Sequence, residues 1–232
     1  MGNKLFPVCV IDDFYTNPYD VRELALSQKF YPNEDGRWPG ARTQNIQNFN
    51  EQLFNHFCEK IVSIFYNLDQ VKDYRISTQF QKIKPFHPEK THKTNRGFIH
   101  RDGVLFGGVI YLDPNTEERT GTSIYTYKEK WQCENLIDYN ANKAKLKKYR
   151  GNDLTDEDIS DWDKSLDQYF ESIRVENIFN RCILFDGNND HGVPYFGTKE
   201  RLTQVFFVEN LMFNVDNSMT HPKYPLIRDN IG

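Results

Sequence analysis

Near residue 70 this sequence changes its hydrophobic period, and that change limits what the chain can fold into more than any other feature. From Asn50 to Leu68, apolar residues at Leu53, Phe54, Phe57, Ile61, Ile64, Phe65 and Leu68 recur at three and four, which predicts an amphipathic helix with one buried stripe. From Arg75 to Ile83 the period is two, so alternate side chains face opposite ways, as in a half-buried strand. Further β-rich runs follow at Leu105–Leu112, Gly121–Tyr127, Ile178–Phe185 and Leu202–Val208, the first ending in the turn Asp113-Pro114-Asn115. Upstream, Leu5–Ile11 suits a short strand. Asn17-Pro18 supplies a cap and a first-turn proline for a helix bearing Val21, Leu24, Ala25 and Gln28 at helical spacing. Helices first and antiparallel-looking strands after them predict an α+β protein. Its core is expected to be a double-stranded β-helix, a cupin-like jelly roll, with N-terminal helices packed against it.

A charged stretch from 128 to 176 interrupts the pattern. Its basic piece Lys143–Arg150 and acidic piece Asp153–Asp167 predict solvated helices, and Thr155 to Asp158 fits a capping box with Asp in place of the usual Glu. A length of 232 residues fits one domain, 1–232, carrying 128–176 as a helical insertion. With 18 Phe and 13 Tyr the chain has ample material for a core, which argues against disorder. The stretch Phe30–Asn48, with Pro32, Gly36, Pro39 and Gly40, reads as an extended loop that either covers a site or packs Trp38 on the core.

Several function classes are disfavoured. A formal charge of −4 lacks the basic stripe that phosphate backbones require, so no nucleic-acid partner is expected and a small-molecule or peptide substrate fits better. No apolar run approaches the roughly 18 to 20 residues of a membrane span, and the first residues lack a signal peptide's apolar stretch. A cytoplasmic protein is therefore expected. Cysteines at 9, 58, 133 and 182 form no CxxC and read as reduced thiols.

The chemistry-bearing residues begin with His100-Arg101-Asp102. On a strand, positions 100 and 102 share a face, so an imidazole and a carboxylate are offered to neighbouring sites on a metal. Alone the triplet is weak, since six histidines yield about one His-x-acid triplet by chance; His87-Pro88-Glu89 has the same spacing, but its proline disrupts strand pairing. Support comes from His191, in the turn-rich end of the strand closing at Phe185-Asp186-Gly187. Two histidines and one carboxylate on one face of Fe(II) leave three positions open, room for a bidentate oxoacid and O2. Arg201 follows His191 by ten residues and shares a strand face with Thr203, a guanidinium and hydroxyl suited to a carboxylate such as the distal one of 2-oxoglutarate. Tyr111 offers a third donor, or plain barrel packing.

At these residues the sequence resembles the 2-oxoglutarate and Fe(II)-dependent oxygenases, within them the prolyl-hydroxylase-like group. The resembling text is Ile99–Asp102, Gly108–Asp113, Gly121-Thr122, Phe185–Gly187 with His191, and Gly197–Arg201, preceded by the lead-in Val10–Tyr15. The resemblance implies a dioxygenase with His100, Asp102 and His191 on Fe(II) and Arg201 on the co-substrate 2-oxoglutarate, assisted by Tyr111 and Thr203. It implies hydroxylation of an unidentified substrate, peptidyl proline or an amino acid among the options, and Asp at 102 disfavours halogenation. Two departures stand out: the insertion after Tyr127, and a lysine at the Arg201 position in some prolyl hydroxylases, which makes Lys199 a rival. The competing readings are a cupin-like metal hydrolase or isomerase, which has no need of Arg201, and a non-catalytic jelly-roll module.

Overall fold

Two antiparallel sheets face each other as the walls of a jelly roll. The computed structural model describes residues 6–33, 38–89, 91–128 and 154–214. The larger sheet runs, in spatial order, β1 (Cys9–Ile11), β8 (Cys182–Asp186), β5 (Phe106–Tyr111), β10 (Arg201–Phe213), β4 (Val71–Ile83), β3 (Ala41–Arg42) and β2 (Tyr31–Pro32). The smaller runs β7 (Tyr169–Val175), β6 (Thr122–Tyr127) and β9 (Asp190–Gly192). Strands distant in sequence lie side by side, so residues near 100, 120 and 190 meet at one end of the barrel.

Alternation along the strands assigns the two faces. From β10, Leu202, Phe206 and Val208 join Ile76 and Phe80 of β4 in one core, which also takes Phe54, Phe57, Ile61 and Phe65 from α2 (Glu51–Phe65) and Val21 and Ala25 from α1 (Pro18–Ser27). Fully burying one such apolar side chain contributes about 1.5–3 kcal/mol, so this layer is the main source of stability. The barrel-side residues Tyr111, Ile124, Val175, Ile183 and Phe185 form a second cluster between the sheets. Asn50 caps α2 by accepting the Leu53 N–H at 3.0 Å. No helix among the described residues is long and apolar enough to cross a membrane.

The α+β jelly roll with helices on one sheet face is as expected from the periods. Some boundaries differ. The apolar recurrence at three and four continues to Leu68, but α2 ends at Phe65 because the chain must turn into β4, and Leu68 sits in a short 3-10 turn, 42% exposed. Asn17 occupies the cap position of α1 without a side-chain cap bond, leaving Pro18 to start the helix. Ile178 falls outside β8 in an exposed turn, where Asn180 adopts a positive φ of 63° and binds Tyr15 through its amide.

The charged stretch 128–176 differs most. Residues 129–153, with the basic piece Lys143–Arg150, lie outside the described residues. The remainder holds α3 (Asp156–Leu166), whose Thr155–Asp158 capping box is formed in both directions, and then β7, a strand of the smaller sheet. Nor is α3 merely solvated: Trp162 and Leu166 bury against Ile99, one residue before His100, and Asp163 pairs with Lys93 and Arg96. The apolar residues Ile159, Trp162 and Leu166 are spaced for this contact, a stripe masked by the acidic residues between them.

Candidate metal centre

His100 and His191 face each other across a single antiparallel bridge, each N–H donating to the other's carbonyl at 3.0 and 2.9 Å. The His100 and His191 Nδ1 atoms each lie 3.0 Å from a carbonyl oxygen, of Phe98 and of Asn189. A carbonyl only accepts, so each Nδ1 carries a proton, and each Nε2 is left to take either a second proton directed at Asp102 or a metal ion in that proton's place. Both Nε2 atoms point at Asp102, whose Oδ1 lies 3.4 Å from His100 and Oδ2 3.3 Å from His191. One ligand atom from each residue lies within 4.8 Å of the others, the single such group among the described residues.

Asp102 is held in place through its backbone. Its N–H and that of Gly103 both donate to Gly187 O, at 3.0 and 3.2 Å. Gly187 must be glycine, because a Cβ there would stand 2.1 Å from Val104 O. Burial alone would raise the Asp102 carboxyl, but the His191 charge and hydrogen bonds from both imidazoles outweigh it and hold the group well below the usual carboxylate range. The reciprocal effect on His191 has the same balance: burial lowers it, Asp102 raises it, and the net direction is up. A set with His191 buried, Asp102 largely so and two fixed, inward-facing imidazoles suits a divalent cation in the place of those protons.

The three residues line a cavity of about 770 Å³. Ser77, Gln81 and Ile83 of β4 and Arg201, Thr203, Val205 and Phe207 of β10 form its wall, the faces opposite the helix-side core. Arg201 is buried, and its Nη1 donates to Thr120 O. Its Nε is buried without a hydrogen-bond partner among the described residues, and desolvation lowers its pKa. A buried guanidinium with an open donor in a cavity wall is a receptor for an acidic group. Thr203 lies beside it, its hydroxyl 3.5 Å from Gln81 O and its backbone opposite Tyr111.

Not every sequence candidate reaches the cavity. Tyr111 is fully buried behind the wall and donates its hydroxyl to Thr122 Oγ1 at 2.8 Å, so it is Thr122 that lines the space. Burial pushes the Tyr111 phenol up to about 12, which keeps it a neutral donor. Lys199 is exposed and outside the wall. His87 stacks on His92 at 3.7 Å and accepts the Glu89 N–H, apart from the metal-capable group. The loop from Phe30 to Asn48 does approach the site: Trp38, Pro39 and Arg42 line the cavity, Gln81 Nε2 donates to Pro39 O at 2.6 Å, and the Arg42 guanidinium lies 4.5 Å from the Trp38 ring. Thr122, Arg42 and Phe207 were missing from the sequence candidates, since a lone Thr, Arg or Phe carries no spacing signal until strands are paired.

A family model described as a family of unknown function, DUF6445, matches residues 1–194. The chain belongs to DUF6445. Among curated proteins, none matches this DUF6445 chain in sequence. Among solved structures it is similar to a prolyl hydroxylase from Trichoplax adhaerens in complex with a hypoxia inducible factor oxygen degradation domain peptide fragment. That match has 14% identity and a TM-score of 0.51, over 87% of this chain and 83% of that one. It is also similar to HygX from Streptomyces hygroscopicus with nickel, 2-oxoglutarate and hygromycin B bound, at 9% identity and a TM-score of 0.51, over 88% of this chain and 83% of that one. At these identities the likeness is one of fold: DUF6445 shares the jelly roll of such oxygenases.

Proposed function

We propose that this DUF6445 protein is a 2-oxoglutarate- and Fe(II)-dependent dioxygenase that hydroxylates a small-molecule or peptide substrate. The observation that carries the reading is the convergence of His100, Asp102 and His191 within 4.8 Å, both imidazoles locked with Nε2 inward, in a cavity whose wall also holds the buried Arg201. His100, Asp102 and His191 would hold the iron on one face and leave the other face open. Iron with 2-oxoglutarate and O2 supplies the oxidising power for C–H hydroxylation, the oxoacid leaving as succinate and CO2.

Arg201 would take the distal carboxylate of 2-oxoglutarate, with Thr203 and Thr122 as neighbouring hydroxyls; Tyr111 acts by orienting Thr122. The apolar walls from Val109, Val205 and Phe207 exclude water and strengthen that charge pairing. The nickel and 2-oxoglutarate bound to HygX support the reading, as does the peptide bound by the Trichoplax enzyme for the breadth of substrate class. A metal hydrolase using the same three ligands leaves the orphaned Arg201 Nε without a purpose.

Anaerobic addition of Fe(II) and then 2-oxoglutarate to the purified protein is expected to produce the weak visible charge-transfer band of a chelated oxoacid. No band at saturating ligand sinks the reading.

A further inference from the structure

Little regular structure joins the two segments that carry the candidate ligands. The His100–His191 bridge is isolated, with no ladder continuing it. Around it lie single backbone bonds outside any ladder: Gly97 N–H to Val193 O at 2.7 Å, Phe196 N–H to Asn95 O at 2.8 Å, the N–H groups of Asp102 and Gly103 to Gly187 O, and Gly187 N–H to Leu105 O at 3.3 Å. A segment attached in this way opens more readily than a central strand such as β10.

Beside the bridge a side-chain pair spans the same gap. Arg101 Nε donates to Asp190 Oδ1 at 2.9 Å and Nη2 to Oδ2 at 2.8 Å. Arg101 stands between His100 and Asp102 in sequence, and Asp190 immediately precedes His191. A planar fork meeting both carboxylate oxygens fixes direction as well as distance, which a single lysine contact does not. Asp190 is only 11% exposed and Arg101 44%, so solvent screens the pair in part and its effect is modest.

We infer that Arg101 and Asp190 are positioning residues, whose two-point ion pair holds the His100–Asp102 segment against β9 before any ion arrives. The pair supplies no ligand. It acts by reducing the disorder that an ion would otherwise have to remove when it collects ligands from two segments. The consequence for metal affinity rests on the reading of the triad as a metal set; the consequence for the backbone does not.

The test compares wild type with Arg101→Gln, Asp190→Asn, the double variant and Arg101→Lys. Two readouts are taken: Co(II) affinity by competition with a chelator, and amide hydrogen exchange of His100 and His191 in metal-free protein. Each single neutralisation is expected to weaken Co(II) binding by about tenfold, the lower end of what supporting groups around a metal contribute. The double variant should lose no more than either single one, and Arg101→Lys should fall between. Exchange at His100 and His191 should speed up in the neutral variants while Phe206 in β10 stays as in wild type. Unchanged affinity and exchange, or losses that add in the double variant, overturn the inference and leave the metal reading standing. Wild type that fails to bind Co(II), with exchange still faster in the variants, overturns the metal reading and leaves the positioning role intact.

Discussion

The two faces of β10 differ in what surrounds them. On one, Leu202, Phe206 and Val208 interlock with α2, the Phe57 and Phe206 rings 5.3 Å apart; on the other, Arg201, Thr203, Val205 and Phe207 line a cavity. One strand thus supplies stability and chemistry from alternate residues, because a period of two sends neighbours to opposite sides. The helix-side face is filled and mostly apolar, and its buried Gln204 is satisfied by Tyr15 and Thr78. The cavity face keeps polar groups and an open donor, an arrangement that costs stability unless something binds there. The difference teaches that damage to one property should leave the other nearly whole.

The strongest way to break this comparison is to cross it. Asp102→Ala is expected to abolish metal binding in isothermal titration while the far-UV circular dichroism stays that of a folded chain, and His87→Ala to leave binding unchanged. Phe206→Ala should lower unfolding free energy by about 3–5 kcal/mol in urea titrations, with metal affinity kept where the protein is folded. Metal binding lost with Phe206→Ala in the folded state, or retained with Asp102→Ala, would end the division of the strand faces.

Arg201→Ala probes the cavity face alone. Removal of a desolvated charge partner is expected to weaken 2-oxoglutarate binding to Fe(II)-loaded protein by about 2–5 kcal/mol, some 30- to several-thousand-fold. Metal affinity should hardly change, and Lys199→Ala is the control. Equal 2-oxoglutarate affinity in Arg201→Ala and wild type removes its role; a loss confined to Lys199→Ala transfers it.

A smaller effect is expected from pH. His191 is raised above its ordinary 6.5 by Asp102, so in metal-free protein the pair contributes stability below that value and loses it as pH climbs through the raised pKa. A metal ion requires the neutral imidazole, so its affinity should rise across the same window. Melting curves of chelator-treated protein from about pH 6 to 9 should fall with pH, and a flat or rising profile contradicts the His191–Asp102 coupling.

The smallest change sharpens the boundary of the cavity. Tyr111→Phe removes only the hydroxyl given to Thr122, so stability should drop by about 0.5–1.5 kcal/mol. The 2-oxoglutarate affinity should move less than about threefold, well under 1 kcal/mol. A tenfold loss would instead give Tyr111 direct contact with the co-substrate.

Local pattern determined a good deal of this protein by itself. The helix α2 and the faces of β4 and β10 follow from periods of 3.6 and two, which any chain must obey to bury one side of an element, whereas His100 and Asp102 meet without the expected strand, His100 sitting in an isolated bridge. The capping box at Thr155 and Asp158 was legible for the same reason, since its partners are three residues apart. Tertiary structure alone decided the rest. That β9 sets His191 against His100, that Thr122 stands between Tyr111 and the cavity, and that Arg101 meets Asp190 depend on which strands lie side by side. The farthest of these three contacts, His100 with His191, joins residues 91 positions apart along the chain. The energy that selects them is the burial of whole sheet faces, a quantity spread over many side chains and written in no single spacing.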